Sequence, residues 1–200
     1  VILVYLLTFL IGAMNIYVLF RGLKIKLNFW RLTKYIIISW SIGTFTPGKI
    51  GDFSIAYFLK RENIAPGVSI AVSFLDKIIT LIVLTIFTLI NAFVILDKVY
   101  VGPLKQATIL GLIIVAIILI GIAVSMLSKE ITKYIKTKLL KNYSGKFLKG
   151  FNSTTMLMLK ENKKELFLNF IITIIKWLVS GFNVLLIFMA FGLRTNLIYI

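Results

Sequence analysis

Four long apolar runs constrain the fold of this chain more than any other feature of its sequence. About 20 consecutive apolar residues in an α-helix cross the ~30 Å hydrocarbon core of a bilayer, and a backbone in lipid has to satisfy its own hydrogen bonds. With 60% hydrophobic residues and a mean hydropathy of +1.00, the chain has the composition of a membrane protein. The sequence therefore predicts an all-α, polytopic transmembrane helix bundle. The predicted spans are Val1–Phe20, Ile64–Leu96, Ala107–Leu127 and Leu166–Ala190.

We expect residues 1–200 to form a single integral membrane domain that is a fragment of a longer one. The chain begins at Val1 instead of Met, and we interpret Leu193–Ile200 as the start of a further apolar run. Val1–Phe20 lacks the basic start and the small-residue cleavage site of a signal peptide, so we interpret it as a true span.

A fifth apolar stretch, which starts at Tyr35, is broken after Phe45 by the residues Pro47-Gly48-Lys49-Ile50-Gly51-Asp52. Proline removes a backbone donor, and glycine permits backbone angles that other residues resist. A broken backbone at membrane depth is tolerated only where it is buried in protein or lines a wet cavity. The break therefore marks a candidate site.

The distribution of charge predicts how this broken segment sits in the membrane. Residues 21–34 contain five basic residues and no acid, and residues 128–165 contain ten lysines against three acids. The positive-inside rule places both loops on the cytoplasmic face of a multi-pass protein in the cell (plasma) membrane. Because two spans separate the broken segment from the second loop, residues 35–60 should enter and leave on one side. We predict a re-entrant helical hairpin; the alternative is a kinked helix that crosses completely.

The basic loop at 128–165 has a helical apolar face. A basic helix with such a face is typical of a segment that lies on the membrane surface, although a solvated connector would show the same pattern. In so apolar a chain, a net charge of +16 favours anionic membrane lipids as partners over nucleic acid. The apolar face of the basic loop consists of Ile131, Tyr134, Ile135 and Leu139.

Among the few acids, Asp52 and Asp76 fall within or near the predicted bilayer core. Asp52 is expected to be the N-cap or a first-turn residue of the returning half-helix, which begins just after Gly51. The N-terminus of this half-helix together with Lys49 offers a positive pole for a lipid phosphate. The alternative interpretation of Lys49 is that its side chain snorkels to the interface. Asp76 and Lys77 are adjacent, so they point to different sides of a helix and each needs another partner. The alternative is that this pair marks the exit of the helix into the interface.

Lys176 lies in the middle of the last predicted span, where a lysine costs ~2.5–3.5 kcal/mol on insertion scales. It belongs to a polar stripe whose steps of four and three residues keep it on one helical face. Interhelical hydrogen bonding explains the hydroxyls and amides of such a stripe, but it does not readily explain the lysine. The stripe consists of Asn169, Thr173, Lys176, Ser180 and Asn183, and a weaker one in the first span consists of Tyr5, Thr8, Gly12 and Asn15.

The sequence contains no Cys and no His, no nucleotide-binding loop of the Gly-Lys-Ser/Thr type, and no Gly-x-Ser-x-Gly elbow. We therefore predict no cofactor, no metal site and no enzymatic activity. A membrane transferase that uses two carboxylates remains an alternative.

Residues 45–59, FTPGKIGDFSIAYFL, resemble the Pro-Gly-Arg/Lys-x-Gly-Glu-x-x-Arg-Ala-x-Leu-Leu signature of the lysylphosphatidylglycerol synthase transmembrane region, a flippase-like family. Asp76-Lys77 stands where that family often has Glu-Arg. The chain departs from the pattern at three positions. Asp52 replaces the usual Glu, Ile55 replaces Arg, and Thr80 replaces Asp.

The resemblance implies a protein that moves or flips lipids, with an aminoacyl lipid or a prenyl-linked glycan as candidate substrates. We expect a translocase of an anionic lipid or lipid-linked headgroup. A non-transporting scaffold subunit of a cell-envelope or glycan-assembly system is the alternative. The residues expected to line the polar cavity are Gly48, Lys49, Gly51, Asp52, Asp76, Lys77 and Lys176.

Overall fold

A computed structural model describes residues 1–99, 103–127 and 150–193, and the regular structure in these ranges is entirely helical. This confirms the predicted all-α bundle. The helices are α1 (Ile2–Gly22), α2 (Phe29–Thr44), a 3-10 helix (Pro47–Ser54), α3 (Ile55–Lys60), α4 (Pro66–Val99), α5 (Pro103–Leu127), α6 (Phe151–Lys160) and α7 (Lys163–Ala190).

Within the described ranges, three helices are long and apolar enough to cross a membrane, and they coincide with three of the predicted spans. These stretches are Ile2–Gly22, Pro66–Asn91 and Lys163–Ala190. The third predicted span lies in α5, where the apolar stretch found is the shorter Gln106–Ile117, so its crossing stays a prediction. Helix α4 begins at Pro66, whose missing N–H would have no intrahelical partner in the first turn.

The apolar core lies at one end of the bundle, where α1 ends and α2 begins. Side chains of α1, α2, α3, α4 and α6 meet there and are withdrawn from solvent. Elsewhere the apolar surfaces of α1, α4 and α7 face outward, as expected of helices that contact lipid. The largest buried members of the core are Leu19, Phe20, Leu32, Leu59, Val72 and Met158.

Helix α2, the 3-10 helix and α3 form a hairpin whose two limbs pack against each other at glycines. The Asn28 side chain starts α2 by accepting the Arg31 backbone N–H at 3.1 Å. At the tip, the Gly51 N–H donates to Thr46 Oγ1 at 2.8 Å. A Cβ atom on Gly51 would lie 2.8 Å from the Gly43 nitrogen, so the limbs approach this closely only because residue 51 has no side chain.

The two ends of the hairpin lie close together. Arg31 Nη1 donates to both carboxylate oxygens of Glu62 at 3.0 Å, and the Tyr35 hydroxyl donates to Glu62 Oε1 at 2.9 Å. The Tyr35 ring stacks on Phe58 with centroids 5.5 Å apart. That the hairpin enters and leaves the membrane on one side stays a prediction. The side of the membrane on which the hairpin opens remains a prediction.

The returning limb differs from the sequence expectation. An α-helical half-helix was expected to begin just after Gly51, but a 3-10 helix starts at Pro47 and α-helical geometry starts at Ile55. Proline and two glycines within five residues lower the α-helical propensity of this stretch, and short 3-10 helices are common in such connections.

The predicted surface-lying helix of the basic loop, with Ile131, Tyr134, Ile135 and Leu139, lies outside the described residues. The described part of the loop resumes at Gly150, which has a φ of 95°. It continues into α6, which packs on α4 through Phe151 and Phe74 with ring centroids 5.8 Å apart.

Candidate functional site

Two polar clusters meet at neighbouring residues of α4, Asp76 and Lys77. Successive residues of an α-helix are rotated by about 100°, so the two side chains leave α4 in different directions. Lys77 binds Asp52 in the hairpin, and Asp76 binds Asn169 in α7. The structure thus agrees with the expectation that the adjacent charges have separate partners.

The first cluster joins the tip of the hairpin to α4. Lys77 Nζ donates to Asp52 Oδ2 at 2.5 Å, and the side chains of Asp52 and Lys77 are 10% and 44% exposed. The other carboxylate oxygen, Asp52 Oδ1, is buried without a hydrogen-bond partner among the described residues. It lies where a Cβ atom on Gly43 would collide with it. The Asp52 carboxylate is therefore held between α2 and α4.

The predicted capping role of Asp52 is wrong. The described hairpin shows no side-chain cap hydrogen bond at the start of the 3-10 helix or of α3. The reason is that Asp52 lies inside the 3-10 helix and its carboxylate turns to the Lys77 ammonium, which offers a full opposite charge.

The second cluster ties α1, α4 and α7 together in the interior. Asn169 Nδ2 donates to Asp76 Oδ1 at 3.1 Å and to the main-chain oxygen of Asn15 at 3.0 Å. Asn15 Nδ2 donates to Thr173 Oγ1 at 3.0 Å. Asp76 is only 7% exposed, and the other three residues are fully buried. The Asp76 carboxylate is therefore accommodated by polar partners inside the bundle.

The polar stripe on α7 faces the protein interior over most of its length. Asn169, Thr173 and Asn183 are buried, whereas Ser180 and Lys176 are partly buried. Interhelical hydrogen bonding accounts for the first two of these residues, as the sequence allowed.

Lys176 lies beside α1 at a glycine of the weaker stripe. Its Cδ atom is 4.0 Å from the position of a Cβ atom on Gly12, and its ammonium lies 5.9 Å from the centre of the Trp177 ring. Asn15 of the same stripe is buried in the second cluster, Thr8 bonds to its own helix, and Tyr5 is exposed.

Gly48 and Lys49 are predicted site residues at the break, and their backbone belongs to the 3-10 helix. The side chains of residues 48–50 lie outside the described part of the structure, so the role of Lys49 stays a prediction. Gly51 is buried at the crossing of the two limbs, which assigns it a packing role.

Sequence reasoning missed two features of this region. Gly43 was not singled out, although its missing side chain makes room for Asp52, and a small residue shortly before the break was the available signal. The Arg31–Tyr35–Glu62 contacts were also missed, because they join residues about 30 positions apart. The Tyr35 hydroxyl, and after it the Arg31 guanidinium, hold the pKa of the Glu62 carboxyl below its usual value.

A groove of about 310 Å³ lies between α1 and α7 and is almost wholly apolar. Its chemistry suits an acyl chain and not a headgroup, because an unpaired polar group placed there would lose its hydrogen bonds to water. The groove is lined by Leu10, Ile11, Met14, Phe29, Ile172 and Ile175.

In the described ranges, no group of three or more His, Cys, Asp or Glu side chains could hold a metal ion.

Ile55, which stands where the family signature has Arg, is 3% exposed and belongs to the apolar core. The position therefore contributes packing where an arginine would have contributed a charge.

The helices and the broken hairpin define a polytopic α-helical membrane protein. The chain belongs to the family described as the lysylphosphatidylglycerol synthase TM region, whose model matches residues 1–200. This confirms the resemblance seen in the Pro-Gly segment. No curated protein and no solved structure matches the chain.

Proposed function

We propose that this protein translocates an anionic lipid, or the anionic headgroup of a lipid-linked glycan, across the plasma membrane. The observation that carries the proposal is the ion pair between Asp52, at the break of the hairpin, and Lys77, in a helix long and apolar enough to span the membrane. Ionisable residues in such helices are expensive and usually mark a substrate or ion pathway. Membership of a family whose members resemble flippases supports the same conclusion.

The exposure of Lys77 supports a role in binding the headgroup. An ammonium has three donors, and the described hydrogen bond from Lys77 to Asp52 uses one of them. With 44% of its side chain accessible, Lys77 has room for a phosphate oxygen beside the carboxylate. A phosphate at this position competes with Asp52 for the same positive charge. Headgroup binding therefore loosens the attachment of the hairpin tip to α4.

Lys49 and Lys176 complete the proposed path for the headgroup. In a 3-10 helix with three residues per turn, positions 49 and 52 lie on the same edge. This shared backbone edge supports including Lys49 in the proposed path. Lys176, beside Gly12, supplies a positive charge at the α1–α7 contact. In this proposal Gly48 and Gly51 shape the hairpin, and Asp76 fixes the helices around the path.

The apolar groove is the proposed site for the lipid tail. Ile175, the residue before Lys176, lines it together with residues of α1. A lipid can then keep its acyl chain in an apolar environment while its headgroup contacts the lysines. This arrangement avoids the cost of moving hydrocarbon through a polar cavity.

The proposal is tested by headgroup translocation in vesicles reconstituted with the full-length protein. We expect Lys77→Gln, Lys49→Gln and Lys176→Met each to slow translocation of an anionic lipid about tenfold, the equivalent of ~1.4 kcal/mol of lost attraction. Lys26→Gln, an exposed lysine between α1 and α2, is the matched control and should translocate normally. Unchanged rates in all three variants would remove these lysines from the mechanism.

A second candidate function is favoured by one observation. A non-transporting scaffold subunit of a cell-envelope or glycan-assembly system needs a dry polar seam, and Asn15, Asn169 and Thr173 are fully buried in direct contact. If the wild-type protein moves no lipid under any gradient while remaining folded, the scaffold function replaces the translocase.

A further inference from the structure

The buried cluster between α1, α4 and α7 has more oxygen acceptors than donors. Besides the Asp76 carboxylate, the side-chain oxygens of Asn15 and Asn169 are both buried, and neither has a hydrogen-bond partner among the described residues. Leaving a buried acceptor unpaired is unfavourable, and here two unpaired amide oxygens accompany a buried carboxylate. The described donors of the cluster therefore leave two of its buried acceptors without a partner.

The position of the Asn169 amide shows where such a partner fits. Its nitrogen lies 3.0 Å from the Asn15 main-chain oxygen and 3.1 Å from Asp76 Oδ1. Rotating the Asn169 amide by half a turn exchanges the positions of its nitrogen and its oxygen. The Asn169 side-chain oxygen would then lie beside the Asn15 main-chain oxygen and Asp76 Oδ1, which brings three oxygens together. Three adjacent oxygens repel one another when the site is empty, but they are the ligands that hard cations prefer.

The charge of the cluster selects the type of cation. It holds one carboxylate, so a singly charged ion leaves the buried site neutral, whereas a divalent ion leaves an uncompensated charge in the interior. A proton on Asp76 supplies a single O–H donor and joins Asp76 to only one of the other two oxygens at this point. A monovalent metal ion contacts several oxygens at once.

We propose that Asp76, Asn15 and Asn169 form an internal binding site for Na⁺ at the contact of α1, α4 and α7. In the absence of the ion, the Asn169 amide group bridges the two oxygens that otherwise bind it. Ion binding holds the three helices together through one shared centre. The proposal does not depend on the lipid translocation proposed above, because it concerns binding and not transport.

The first test is thermal unfolding of the purified full-length protein at fixed pH. Na⁺, K⁺ or choline is supplied as the chloride at constant total ionic strength. A ligand at about fivefold excess over its dissociation constant raises the Tm of a protein of this size by about 2–4 °C. We expect a saturable rise of this size with Na⁺ relative to choline, and a smaller one with K⁺. Equal Tm values in the three salts overturn the proposal.

Variants locate the site. Asp76→Asn keeps the size of the side chain and an acceptor for Asn169 but removes the charge, so it should abolish the Na⁺-dependent shift. Glu62→Gln, a carboxylate outside the cluster that binds Arg31, should keep the full shift. A shift that survives in Asp76→Asn contradicts the site.

Binding of radioactive sodium to the wild-type protein provides a measurement that does not depend on the folding of any variant. Unlabelled Na⁺ should displace it, whereas choline should not. If acidification stabilises the protein in choline and Na⁺ has no effect, a proton neutralises Asp76 and the Na⁺ site is disproved.

Discussion

The attachment of the hairpin and the contact of α1, α4 and α7 are built from different chemistry. The hairpin is held by ion pairs with a partly exposed cation, Lys77 with Asp52 and Arg31 with Glu62. The interior contact is held by amides and a hydroxyl around one carboxylate, all buried. The two regions share helix α4, where they are one residue apart.

This difference in chemistry indicates which of the two regions can exchange its bonding partners. In both hairpin pairs the cation is accessible, so water, salt or an anionic headgroup reaches it and competes with the carboxylate. Breaking a buried polar contact by removing one partner is far more destabilising, because the other group stays unpaired inside the protein. The hairpin is therefore the element suited to move, and α1, α4 and α7 form the frame against which it moves.

The largest effect is expected in the frame. Asn169→Leu removes the described donor to Asp76 and leaves a buried carboxylate without it, so the free energy of unfolding should fall by about 3 kcal/mol, the upper end for a buried acceptor that loses its donor. Asn183→Leu on the same helix is the control. It replaces a buried amide whose oxygen is unpaired among the described residues, and should change stability little. Thermal unfolding in detergent measures both, and equal losses would contradict a specific role for the cluster.

The hairpin crossing should be the next most sensitive point. In Gly51→Ala the new methyl group would lie 2.8 Å from backbone atoms of Gly43 and Ile42, so the limbs must separate at a cost of about 1–3 kcal/mol. Gly181→Ala in α7 meets no atom within 4 Å and should stabilise the helix by about 0.5–1 kcal/mol. Opposite signs of the two changes in unfolding temperature are predicted. Stabilisation of both variants would show that the limbs do not approach closely.

The smallest effect concerns pH at the open end of the hairpin. The folded protein lowers the pKa of Glu62 below its ordinary value of 4.5, first through Tyr35 and then through Arg31. Its contribution to stability is therefore fully present above pH ~4.5 and is lost as the pH falls through the lower, folded-state pKa. Limited proteolysis after Arg61 should increase with acidification over that range. In Glu62→Gln the cleavage should already be increased at neutral pH and should not change with pH. Identical pH profiles for the two proteins would contradict the contact.

The sequence predicted the features that depend on local pattern. The lengths of the apolar runs predicted the helices that start near Val1, Ile64 and Leu166, and the charges of the loops predicted a returning hairpin. Both properties can be read from the sequence alone, because they do not depend on how the helices pack. The separation of Asp76 from Lys77 also followed, since it depends only on the rotation per residue of one helix.

The partners of these residues could not be predicted in the same way. Asp76 meets Asn169 across 93 positions, and that pairing depends on how α4 and α7 are rotated and shifted against each other. The same applies to the 25-residue separation of Asp52 and Lys77. The 3-10 geometry of the returning limb was missed because local propensity disfavours an α-helix there without specifying what replaces it.

The proposed translocation mechanism depends most directly on the hairpin entering and leaving the membrane on one side. The chain has no native cysteine, so single cysteines at Lys24, Arg61 and Lys98 can be labelled from either face of intact cells. The account predicts that Lys24→Cys and Arg61→Cys are protected from an impermeant reagent added outside, and that Lys98→Cys reacts with it. Reaction of Lys24→Cys and Arg61→Cys from opposite faces would contradict the re-entrant hairpin, and with it the proposed role of the Asp52–Lys77 pair.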